Sequence, residues 1–248
     1  MEWSKIKNIL IVALILIDLL FLYLLLQPSG TEGETGQDAQ ILQDTLTVLQ
    51  DNGITVRADT DFSEMQLPML TLTFDEDNGT YNYVPRGERI SLSQETALDA
   101  AGRFLAEMGG FGNFGTDIRV ESVKMSGTDP QQYTVSYSGY YEDYRIRDLY
   151  VRCTVGPAGV VRMEKQWGEA AEANRNGRPL IPVTSALLRY MDKAAEEDPG
   201  EARTVTDISV AYTVDTPYDG TVTSDTAFPA WRIEASDGSV VYIPAYRQ

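Results

Sequence analysis

The chain has 248 residues, with 20 Lys+Arg against 37 Asp+Glu, no histidine and one cysteine, for a formal net charge of −17. So large an acidic excess argues against nucleic acid or anionic lipid as a direct ligand, because both are held by clustered Lys and Arg. The lack of histidine removes the commonest general base and metal ligand, and a lone Cys153 allows no intrachain disulfide and no cysteine-based zinc site.

In chain order, Ile6 to Leu26 come first, an almost unbroken apolar run with Lys5 and Lys7 at its start. Twenty-one residues at ~1.5 Å each make a helix of about 30 Å, the thickness of a bilayer's hydrocarbon core. Gln27-Pro-Ser-Gly30 follows instead of a small-x-small cleavage site, so residues 1–26 read as a cytoplasmic tip and an uncleaved single-pass anchor. The lysines place the amino terminus in the cytoplasm and the C-terminal domain outside the cell membrane, with Trp3 and Tyr23 near the two interfaces. Asp18 interrupts the run at a cost of about 2.5–3.5 kcal/mol, which its leucine-rich flanks offset. It reads either as a tolerated, protonated acid or as a polar contact to another transmembrane helix, since intramembrane acids usually face protein. On the second reading, Ile11, Leu14, Ile15, Phe21, Leu22 and Leu25 share its helix face by i±3, i±4 and i±7 spacing.

Residues 27–38 are polar and rich in Gly and Thr, and read as a linker. Helical spacing of Ile41, Leu42, Leu46, Val48 and Leu49 ends at Asn52-Gly53. Strand-like runs follow at Ile54–Ala58, Met69–Phe74 and Tyr81–Val84, with Asp75–Gly79 expected to be a hairpin turn between the last two. These make an N-terminal α+β unit over 39–90. A second unit, 91–178, opens at Ser91 and Gln94 in capping-box spacing, with Ser93 an alternative cap. Ala97, Ala101, Phe104, Leu105 and Met108 form its helix face, and Gly109 closes the helix. Alternating runs at Ile118–Met125, Tyr133–Tyr140, Leu149–Val155 and Val160–Trp167 follow, with a tight turn at Gly156-Pro-Ala-Gly159. A third unit, 179–248, has a helix face of Ala186, Leu187, Tyr190, Met191 and Ala194. Its strands are Val205–Val214, Ala230–Ala235 and Val240–Tyr246, with Asp237-Gly238 a hairpin signal. A recurring helix followed by antiparallel strands predicts the α+β class, each helix covering one sheet face.

Several motifs fail on context. Gly110-Phe-Gly112-Asn-Phe-Gly115 has the letters of a dinucleotide fingerprint, but the required strand-then-helix order is reversed. Asp75-Glu-Asp77-Asn-Gly79 begins like a calcium loop and lacks the closing glutamate, where Arg86 stands. Asn78-Gly-Thr80 is a glycosylation sequon in a suitable secretory pathway. Cys153 sits in an alternating strand and reads as a small buried hydrophobe. No catalytic, cofactor or metal residues are identified. The remaining anomaly is tyrosine: Tyr140, Tyr141, Tyr144 and Tyr150 lie close together, and read either as core packing with hydroxyl handles or as an ectodomain interaction surface.

Met1-Glu-Trp-Ser-Lys-Ile-Lys7 leading into an anchor resembles the start of YycI family proteins. So do the Gly159-to-Trp167 strand with its Lys165-Gln-Trp167 ending and the terminal Phe228-Pro-Ala-Trp-Arg-Ile233 … Asp237-Gly238 … Tyr242 pattern. The resemblance spans essentially the whole chain. The tail Ile243–Gln248 is less typical, and Asp18 stands where the family has a neutral polar residue. What the resemblance implies is a Gram-positive envelope protein, not an enzyme and without a cofactor. Such a protein associates with a YycH-like membrane protein and a sensor histidine kinase, and tunes the two-component system (YycFG, also WalKR) that controls cell-wall metabolism. It also implies external units similar to PepSY modules. Two other functions stay open: a tethered envelope protease inhibitor or chaperone acting through the ectodomain alone, and an acid-based hydrolase with two close carboxylates in a cleft.

Overall fold

In the computed structural model the described residues are 32–60, 62, 65–108, 117–128, 131–173, 177–197, 200–215, 218 and 220–246. The apolar run at 6–26, with Asp18 and its stripe, and the Gly110–Gly115 motif lie outside them. No helix among the described residues is long and apolar enough to cross a membrane. The chain divides into two units, Met1–Thr47 and Val48–Gln248.

Helix α1 runs Glu32–Asp51. It starts before Ala39 and takes in most of the segment read as a linker. Glu32, Glu34 and Gln37 are good helix formers, and no proline stands between Pro28 and Pro68, which outweighs a cost of about 1 kcal/mol at each of Gly33 and Gly36. Apolar periodicity reports only the stretch of a helix that has something to pack against. The helix stops where Asn52 N–H reaches back to Val48 and Leu49, and Gly53 takes φ +79.

The second unit is mixed α+β and mostly sheet. Strands β1 (Ile54–Val56), β2 (Gln66–Leu67), β3 (Leu70–Phe74) and β4 (Gly79–Asn82) precede α2 (Gln94–Glu107). Then come β5 (Asp117–Thr128), β6 (Gln131–Tyr141), β7 (Tyr144–Gly156), β8 (Gly159–Gln166), β9 (Gly168–Glu172) and β10 (Arg178–Pro179). After α3 (Val183–Glu197) follow β11 (Arg203–Val214), β12 (Ser224–Ala235) and β13 (Val240–Pro244). Ser93, not Ser91, caps α2, and Thr96 completes the capping box. Met108, placed on the apolar face by its spacing, is 53% exposed because the helix ends just before it.

Eleven strands among those described form one sheet. The first strands do not make an α+β unit of their own. β1 pairs parallel with β11, β2 joins β10 in a two-stranded ribbon, β3 lies between β12 and β9, and β4 pairs with β8. Nor is Asp75–Gly79 a hairpin turn. β3 runs antiparallel to β9 and β4 continues antiparallel to β8, so the turn is an excursion from one long ladder. Gly168 makes that pairing possible, since a Cβ there would lie 2.3 Å from the Thr73 carbonyl oxygen. The sheet is not wholly antiparallel either. Its halves join where β7 and β11 pair parallel, Arg145 beside Ala211 and Ile146 beside Tyr212.

That register sets the two faces. Ile146 and Tyr212 belong to the core that α2 covers, with Ala97, Ala101 and Leu105 on Val135, Val151, Cys153 and Met163. Alternation along β11 puts Val210 and Ile208 on the same side as Tyr212. There Trp231, opposite Val210, donates its indole N–H to the Ile181 carbonyl at the foot of α3 at 3.0 Å. Both helices therefore sit on one face of the sheet. Each aligned pair of aromatic or aliphatic side chains beneath them contributes on the order of 1.5–3 kcal/mol per buried residue.

Candidate functional site

The opposite face carries no helix among the described residues, and along β5 to β8 the positions pointing to it are polar. Arg145, beside Ala211, marks it on one half, and Ser209 paired with Arg232 marks it on the other. Its arginines sit between carboxylates and rings. Arg119 contacts Asp117 and Asp143 and lies 4.5 Å from the Tyr140 ring centre. Arg152 contacts Glu164 and lies 4.2 Å over Tyr150. Arg147 lies 4.8 Å over Tyr242. Arg145 meets Glu121 at 2.6 Å, and the Ser138 hydroxyl donates to the same carboxylate at 2.6 Å. Arg232 joins Asp207 to Glu234, and burial, which pulls its guanidinium pKa down, is outweighed by those two acids and Tyr242.

Within this patch five arginines are matched by contacting acids, in a chain of net charge −17. The patch is thus close to neutral and rich in arginine and tyrosine, the residue types that dominate binding energy at protein interfaces. Stacking over rings helps hold Arg119, Arg147 and Arg152 in place, at about 0.5–1 kcal/mol per exposed pair.

The four tyrosines that the sequence brings together are divided between the faces. Tyr140 and Tyr150 belong to the open face. Tyr141 and Tyr144, paired across the β6–β7 turn, point the other way and meet Tyr212 edge-on at 6.3 Å each. A two-residue turn at Glu142-Asp143 makes this inevitable, because neighbouring strand residues alternate sides. Two of the four thus pack against the core, and two lie under arginines on the open face. Cys153 is fully buried, and burial pushes its thiol up to about 12.

Two polar features escaped the sequence reading. Asp148 lies in a three-residue bulge of β7, between the Gly139–Ile146 and Ser138–Tyr150 pairs. Buried to 9% exposure, it accepts the Val214 N–H at 3.0 Å, and the side chain of Gln166 donates to its carbonyl at 2.8 Å. Burial raises its carboxyl above the usual range, against the lowering effect of Val214, Arg147 and Thr213. Lys165 reaches Asp75 at 2.9 Å and Asp77 at 2.6 Å, so the calcium-like turn holds an ammonium group. Burial lowers its pKa, the two acids raise it more, and the net shift is upward. Neither pair is adjacent in sequence. The open face did leave a trace: Arg119-x-Glu121, Tyr150-x-Arg152, Arg162-x-Glu164 and Arg232-x-Glu234 all repeat at the strand period of two.

No family model matches the sequence, and no curated protein matches it. Among solved structures, an uncharacterized protein from Eubacterium rectale aligns at TM-score 0.41 and 10% identity, over 89% of this chain and 83% of that one. The YpeB C-terminal domain of Bacillus megaterium aligns at TM-score 0.36 and 11% identity, over 84% and 90%. At these values neither likeness bears on what the chain does.

Proposed function

We propose that this chain is a single-pass, non-enzymatic accessory protein of the Gram-positive cell membrane, of YycI type with PepSY-like external units. It biases a sensor histidine kinase that controls cell-wall metabolism, together with a YycH-like partner. The observation that carries the protein-binding part is the open sheet face, where arginines stacked on tyrosines form a near-neutral patch in a strongly acidic chain. The membrane part rests on the apolar run at 6–26 with Asp18 at its centre. To regulate, the protein must bind one signalling state of the kinase better than the other. A tenfold preference shifts that equilibrium by about 1.4 kcal/mol, and equal affinity shifts nothing.

The test is kinase autophosphorylation in lipid vesicles, with and without the full chain. A change in rate is expected, and it should shrink for Asp18→Leu, which inserts normally but loses the polar contact between helices. An unchanged rate with complex formation confirmed defeats the regulatory reading. If residues 38–248 alone reproduce the whole effect, the tethered inhibitor or chaperone reading takes its place.

A further inference from the structure

A cleft of about 190 Å³ opens along β12 where one neighbour ends and the next begins. β13 pairs with Ala230–Glu234 and β3 with Ser224–Ala227, leaving Phe228 and Pro229 between them. Met69, Phe228, Pro229 and Pro244 supply an apolar lining. The two prolines bring no N–H, and the Pro229 carbonyl is already taken by the Ala245 N–H at 2.9 Å. The Thr213 and Tyr246 hydroxyls, which also line the cleft, donate within the protein to Asp148 and Leu67, and two charged side chains remain. Arg178 stands on β10, its backbone held by pairing to Leu67, whose carbonyl also accepts the Tyr246 hydroxyl. Asp215 follows Val214, whose N–H is fixed by Asp148. Both side chains are exposed, both line the cleft, and neither has an ion-pair partner among the described residues.

An unpaired cation and an unpaired anion lining one largely apolar cleft are complementary to a molecule with an anion at one end, a cation at the other and an aliphatic body. At ~30 Å³ per water the space holds about six waters, enough for one small molecule and well below a drug-sized pocket. We propose that this cleft binds the zwitterion of an apolar dipeptide, its carboxylate on Arg178, its ammonium on Asp215 and its side chains against Met69 and Phe228.

Calorimetric titration of the full chain in detergent tests this with Ala-Leu, N-acetyl-Ala-Leu and Ala-Leu-amide. Ala-Leu is expected to bind saturably with Kd near ~1 mM, the range for so few ligand atoms. Each blocked form should bind at least about tenfold weaker, the loss expected from one charged partner. Arg178→Gln should bind Ala-Leu and its amide alike, and Asp215→Asn should bind Ala-Leu and its acetyl form alike, with melting temperatures unchanged because both side chains are exposed. Absence of saturable binding up to roughly 50 mM, equal binding of all three ligands by the unmutated chain, or either variant retaining its discrimination would overturn the proposal.

Discussion

The side chain of Asn78 pairs with the backbone of Trp167 as a strand residue would, its amide donating to the Trp167 carbonyl at 2.8 Å and its oxygen accepting the Trp167 N–H at 2.7 Å. It thereby bridges the point where the Asp75–Gly79 excursion interrupts the ladder between β3–β4 and β8–β9. An amide engaged on both sides is not free to accept a glycan in the folded chain. Asn78→Ala strips two partners at once and should lower stability by about 1–3 kcal/mol. Asn78→Asp keeps the acceptor, turns the donor into a carboxylate facing a carbonyl, and should be no better. Urea denaturation of the three proteins measures the difference, and an Asn78→Ala midpoint equal to that of the parent chain would contradict the bridging role.

Asp148 makes a pH-dependent contribution with a definite sign. Burial places its folded pKa above the unfolded value, so the folded state binds the proton more tightly and this group adds stability as pH falls through the folded pKa. At neutral pH the ionised form is a cost. Asp148→Asn, which still accepts the Val214 N–H, should match or exceed the parent at pH 7. That advantage should shrink on acidification through the raised value toward the ordinary carboxylate range. Asp148→Ala leaves the Val214 N–H unpaired and should cost about 1–3 kcal/mol at every pH. Denaturant melts between pH 4 and pH 7 decide it, and an advantage for Asn that grows as pH falls refutes the assignment.

Lys165 has a side chain only 9% exposed, while Asp75 and Asp77 are 34% and 69% exposed. Its raised pKa means the contribution is fully present below the unfolded lysine value and is lost only as pH rises through the folded one. Lys165→Met should therefore cost about 1–2 kcal/mol at neutral pH, less than a fully buried pair because both acids keep much of their water. A double-mutant cycle with Asp77→Asn isolates the pair, and additivity within error would show no coupling.

On the open face, Arg119→Ser with Arg152→Ser removes two stacked guanidinium groups from exposed positions. Stability should change by no more than about 0.5 kcal/mol, whereas binding to the proposed YycH-like partner should weaken at least about tenfold. Tyr212→Ala on the covered face should behave oppositely, costing about 3–5 kcal/mol because the fully buried ring packs against Tyr141 and Tyr144. Co-purification read beside urea melts separates the two; equal binding by the arginine variant removes the open face as the docking surface.

Local patterns were legible where a neighbour a few residues away decides the outcome. The α3 face of Ala186, Leu187, Tyr190 and Ala194 is buried as its spacing requires, and Asp237-Gly238 turns β12 into β13 with Gly238 at φ +83. The polar strand Gly168–Glu172 was not legible, because Ala170 and Gly168 carry no strand preference and pair only through close fit to Thr73 and Leu72. The division of the tyrosines was half legible: alternation alone separates Tyr140 from Tyr141, but which side is covered depends on where α2 settles.

By itself the chain determined its acid excess, its apolar N-terminal run, the order of its helices and longer strands, and the side of those strands that is apolar, since all of these follow from composition and from periods of two and 3.6. Only the tertiary structure decided that β1 and β7 both pair in parallel with β11, that β3 lies between β12 and β9 while β4 pairs with β8, and that both helices share one face. Such pairings join residues far apart in the chain, and they are selected by the summed burial and backbone hydrogen bonding of the assembled sheet, a quantity no local window of sequence contains.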